Sequence, residues 1–78
     1  MPWIDVIFTD VAQEKIAAHD VSMDEARQVL ENAELYTTSR SSGWPLAQGW
    51  TSAGRWIVVV YRELDSVTWE VITAFEPS

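Results

Sequence analysis

The chain has no cysteine, a single histidine and only five basic residues among 78. Without cysteine, neither disulfides nor a thiolate metal cluster can add stability, and a cytoplasmic setting is the default expectation. No apolar run reaches the roughly 18 residues that cross a bilayer. The start Met1-Pro2-Trp3-Ile4-Asp5 has no basic region ahead of an apolar core, so a soluble protein without membrane association is expected. Twelve acidic residues against the five basic ones give a formal net charge of -7, which repels phosphate backbones unless the cations gather on one face. The same charge serves solubility first and attraction to a basic partner second. Glycine and proline number three each, and there is no internal repeat, low-complexity segment or linker.

What the chain does have is tryptophan. Five of them, at positions 3, 44, 50, 56 and 69, stand in a single domain spanning 1–78. A domain of this size buries only about 60 to 65% of its unfolded surface, so self-association as a homodimer or a protein partner would reinforce a marginal core. Tryptophans fill such a core, and any left outside become anchors for a partner. Trp50 and Trp44 are the binding candidates, together with Arg40 in the turn-like stretch Ser39-Arg40-Ser41-Ser42-Gly43, whose backbone N–H groups suit an anion.

Periodicity then places the elements. Trp3 to Phe8 reads as a strand that delivers the chain to a helix cap at Asp10, with Gln13 at capping-box spacing. A first helix is expected over about Val11 to Ala18, with Phe8, Ala12 and Ile16 in line and His19 at its end. Ser22-Met23-Asp24-Glu25 is a full capping box opening a second helix to about Ala33. Its apolar stripe is Met23, Ala26, Val29, Leu30 and Ala33.

Beyond Glu34, β-branched and aromatic residues separated by turn signals give strands at Leu35 to Ser39, Ala47 to Trp50, Arg55 to Tyr61 and Val67 to Phe75. Pro45 limits the strand that follows it to a sheet edge or a late start. The run Trp56 to Tyr61 lacks polar alternation and belongs in the middle of the sheet with both faces covered. In the last strand Val67, Trp69, Val71, Thr73 and Phe75 alternate with Thr68, Glu70, Ile72 and Ala74. The order is β-α-α-β-β-β, with three or four strands after the helices. It predicts an α+β fold, an antiparallel sheet with two helices packed on one face.

Several of these segments resemble one family in order and spacing. Glu14-Lys15, His19-Asp20-Val21 followed by Ser22-Met23-Asp24-Glu25-Ala26, and Val29-Leu30 are similar to the first half of the BrnT toxins. Gly49-Trp50-Thr51, Gly54-Arg55, the run Trp56 to Tyr61, and Val71-Ile72-Thr73-Ala74 are similar to their second half. The resemblance implies a RelE-like ribonuclease fold and a bacterial toxin-antitoxin setting. It also implies an antitoxin partner, and the net charge of -7 would suit a basic, antitoxin-like peptide. BrnT-like chains carry arginines beside and after the closing strand, where this chain has Glu70 and Phe75.

Ribonuclease chemistry of that type needs a base, an acid and cations around the phosphorane. Lys15, His19 and Arg55 are the catalytic candidates, acting without metal or other cofactor and with RNA as substrate. Against them stands the plainer reading of His19 as a helix-end residue and of both cations as partners of nearby carboxylates. His19, Asp20 and Asp24 do not fall on one helix face, so no metal ligand set is assigned. With the phosphate-binding cations reduced, the sequence favours a divergent, non-catalytic interaction module over a metal-independent ribonuclease toxin.

Overall fold

A computed structural model describes residues 4–77. Its elements are β1 (Asp5–Phe8), α1 (Asp10–Ala18), α2 (Met23–Asn32), β2 (Leu35–Thr38), β3 (Pro45–Trp50), β4 (Trp56–Glu63) and β5 (Thr68–Phe75). The fold is α+β, with two helices and, of the three or four strands expected after them, four. The five strands form one sheet in the order β1-β5-β4-β3-β2.

That sheet is mixed, which corrects the expected antiparallel arrangement: β1 runs parallel to β5, while the remaining neighbours are antiparallel. Because β1 and β5 stand at opposite ends of the element order, no hairpin forces them antiparallel. Trp3, expected in the first strand, and the start Met1-Pro2 lie outside the described residues.

Local chemistry explains the helices. Thr9, not Asp10, caps α1: its Oγ1 accepts the Ala12 N–H at 3.1 Å, and Asp10 is the first helical residue, placing its charge by the positive pole. Ala12 and Ile16 form the buried side of α1, while Phe8 stays in β1. At α2 the capping box is complete, with Glu25 N–H to Ser22 Oγ and Ser22 N–H to Glu25 Oε1 both at 3.1 Å. Ala26, Val29 and Leu30 are buried as the stripe predicts, but Met23 in the first turn is exposed.

β4 lies at the centre of the sheet. Ile57, Val59 and Tyr61 alternate toward the helices and join Ile16, Val29, Leu30 and Val71 in one core. The alternation expected in β5 breaks. Val60 pairs with Thr73 but Tyr61 pairs with Val71, so Ile72 is an extra residue, and Val71 with Ala74 face the core.

Pro45 begins an inner strand, not an edge. The Ser39 N–H donates to the Trp44 carbonyl at 2.8 Å, which makes that pair a hydrogen-bonded one. In the next pair, Thr38 with Pro45, neither N–H is turned to its partner, so the missing donor costs the β2–β3 ladder nothing. Arg55 and Val67 fall just outside their strands.

Both helices bury their apolar residues in this single core. The opposite face of the sheet carries no helix among the described residues, yet Val58 on it is buried at 5% exposure, so the middle of β4 is covered on both sides as expected while Trp56 and Val60 are partly exposed.

Candidate functional site

The β3–β4 turn aims Arg55 at the join between the helices. Thr51, itself buried, donates its N–H to the Arg55 carbonyl at 2.8 Å and accepts the Arg55 N–H on Oγ1 at 3.3 Å. Gly54, at φ 79°, supplies the left-handed step this turn requires. The Ser52 N–H donates to Gln28 Oε1 at 2.9 Å, tying the turn to α2.

The Arg55 guanidinium reaches three groups. Nη1 donates to the carbonyl of Asp20 at 2.9 Å and to both Glu25 carboxylate oxygens at 3.0 Å, and Nη2 lies 3.5 Å from Glu76 Oε1. Asp20 is itself left-handed, at φ 60°, where the chain swings from α1 into α2. Burial alone would lower the Arg55 pKa, but the hydrogen bond to Glu76 and the charge and hydrogen bond of Glu25 outweigh it and raise it above the ordinary value. Chemically this is a strut joining the helix connection, the start of β4 and the end of β5. Two carboxylates hold this guanidinium, Nη1 by hydrogen bonds to Glu25 and Nη2 in an ion pair with Glu76, which competes with any phosphate for it. Arg62 is likewise engaged, with Nε donating to Glu70 Oε1 at 3.1 Å across β4 and β5.

His19 is the C-cap of α1: its N–H donates to the Ile16 carbonyl at 3.1 Å, the Asp20 N–H donates to the Ala17 carbonyl at 3.0 Å, and the His19 ring lies 6.1 Å from that of Phe75. Lys15, exposed, lies one turn behind it on the same helix face. His19 precedes the residue whose carbonyl holds Arg55, so the last turn of α1 ends near Arg55. Asp20, Ser22, Glu25 and Arg55 border an open hollow of about 340 Å³ there, but neither Lys15 nor His19 lines it. No group of three histidine, aspartate or glutamate side chains suited to a metal occurs among the described residues.

The binding candidates divide. Arg40 is exposed in the β2–β3 turn next to Trp44, whose N–H donates to Ser42 Oγ at 3.3 Å. Trp50 stands at the far end of β3, about 20 Å from Trp44 for six extended residues. Trp50 is 57% exposed and packs edge-on against Trp56, ring centres 5.1 Å apart.

By register, the face that no helix covers continues from this pair through Gln48, Val58 and Phe75 to Leu46, Val60 and Thr73. Trp56 and Phe75 are the members that the sequence reading missed. The signal for Trp56 was present in the short Thr51-Ser52-Ala53-Gly54 turn, which sets position 50 opposite 56.

No helix among the described residues is long and apolar enough to cross a membrane. No curated protein and no solved structure matches the chain. A family described as a domain of unknown function, DUF4258, matches residues 8–76, from the last residue of β1 to just past β5, and the chain belongs to that family.

Proposed function

We propose that the chain is a non-catalytic protein-interaction module on a BrnT-like, RelE-like scaffold, working in a bacterial cytoplasm. The observation that carries this reading is the sheet face left without a helix, on which Trp50 is 57% exposed beside Trp56. A half-exposed tryptophan backed by a second aromatic ring is the kind of rigid apolar anchor on which interfaces concentrate binding energy. The net charge of -7 favours a partner whose surface is basic, such as an antitoxin-like peptide. The test is capture of partners from source cells by the natural chain and by Trp50→Ala, with folding checked by circular dichroism. Loss of a specific partner from the folded variant is expected. Equal capture by both chains overturns the sheet face as the binding surface.

A second reading has one observation in its favour: the last turn of α1, with Lys15 in it and His19 at its cap, ends near Arg55. It makes the chain the ribonuclease toxin of a type II toxin-antitoxin pair. Induced expression in a bacterium separates the two. The interaction reading expects normal growth with intact messenger RNA. Growth arrest with cleaved messages, relieved by the exposed-site double variant Lys15→Ala, His19→Ala, would establish the nuclease instead.

A further inference from the structure

β2 is a four-residue edge strand whose own side chains do nothing to guard it. It has one neighbour, β3, and all four of its residues, Leu35-Tyr36-Thr37-Thr38, are exposed. It contains no charge, proline or glycine, the residues by which proteins blunt edges against pairing. The other edge, β1, carries Asp5 within the strand.

The register also says which backbone groups are offered. The pair Ser39 and Trp44 is hydrogen-bonded, so Thr37 and Leu35 turn their N–H and C=O toward β3, and Tyr36 and Thr38 turn theirs outward.

We infer that this edge pairs with the same edge of a second copy, antiparallel about a two-fold axis at Thr37, joining two sheets into one. In that register Tyr36 lies opposite the partner's Thr38, and each such pair exchanges two N–H···O=C bonds between groups that already point outward. Charge selects the antiparallel sense. Glu34 precedes the strand and Arg40 follows it, both exposed and neither held in an ion pair among the described residues. Antiparallel pairing brings Glu34 toward the partner's Arg40 at both ends, whereas parallel pairing would set like charges together. Two copies of charge -7 repel in general, so contact is favoured where an uncharged strand is bounded by one charge of each sign. This pairing uses the sheet edge and does not rest on the sheet-face reading above.

Sedimentation equilibrium from about 10 μM to about 1 mM tests it. The natural chain is expected to reach twice its 8.9 kDa mass. Glu34→Arg and Arg40→Glu should each weaken the dimer about threefold to thirtyfold, since each loses two exposed pairs and gains repulsion. The double swap should restore it. Thr38→Pro, which removes an outward N–H and leaves the β2–β3 ladder intact, should abolish it. A natural chain that stays monomeric throughout overturns the inference. So does a dimer indifferent to Thr38→Pro and to both charge reversals, or a double swap as weak as the singles. The charge reversals lie at exposed positions, so the test stands even where the proline variant fails to fold.

Discussion

Asp65 shows how one side chain can set a turn. Its Oδ1 accepts the Val67 N–H at 2.9 Å in the β4–β5 connection. That backbone donor, followed by the Thr68 hydroxyl, holds the carboxyl below its ordinary value against a smaller opposing effect of desolvation. A carboxylate depressed in the folded state contributes stability that is fully present above its unfolded pKa of about 3.9 and is lost as pH falls through the lower folded value. Asp65→Asn should therefore be less stable than the natural chain at pH 7, with the gap closing below about pH 4. Urea denaturation at a series of pH values measures it. A gap that persists unchanged at low pH would mean that the amide fails for a reason other than charge. Glu25 makes a second residue-scale point. Its capping role was legible from Ser22 three positions before it, but its grip on Arg55 spans thirty residues and exists only because the Thr51 turn aims the guanidinium at it.

At the scale of elements, α2 ends hard against β3 at Gly49. A Cβ there would sit 3.3 Å from the Ala33 Cα and 3.4 Å from the Glu34 N. Both are backbone atoms that cannot swing aside, so Gly49→Ala should destabilise the domain by about 1 to 3 kcal/mol. Calorimetry or urea melts would register this, and a neutral result would show that the α2–β2 connection is free to shift. The helices and strands were mostly readable because apolar spacing reports which side of an element stays dry. The antiparallel run from β2 to β5 was readable too, but the place and direction of β1 were not. β1 runs parallel to β5 because of pairing between the two ends of the chain, and Ile72 is extra only relative to β4, so neither leaves a local signature. Pro45 misled for a related reason: whether a missing N–H matters depends on hydrogen-bond phase across the ladder, which spacing along one strand does not contain.

For the molecule as a whole, the candidate site was half legible. Residue types pointed to Lys15, His19 and Arg55, and the fold ends the last turn of α1 near Arg55, yet the carboxylates of Glu25 and Glu76 that engage Arg55 come from distant elements and could be assigned only from the structure. The excess of acid has a global consequence as well. A net charge of -7 within a radius of gyration of 11.3 Å lies inside one Debye length at about 10 mM salt, roughly 30 Å, but not at about 150 mM, roughly 8 Å. Unscreened repulsion among the carboxylates therefore opposes folding at low salt. Salt acts in the other direction on the ion pairs, but these are few among the described residues. Arg62 is about half exposed, where screening has little left to remove, and the Arg55 pair, with side chains 26% and 18% exposed, is partly shielded from it. Repulsion should dominate, and the melting temperature at fixed protein concentration should rise with sodium chloride between those limits. The rise should be about 4 to 8 °C for each 1 kcal/mol of repulsion relieved. A fall over the same range would mean that the Arg55 and Arg62 pairs outweigh the surplus of acid, and would make Arg55 the principal electrostatic support of the fold.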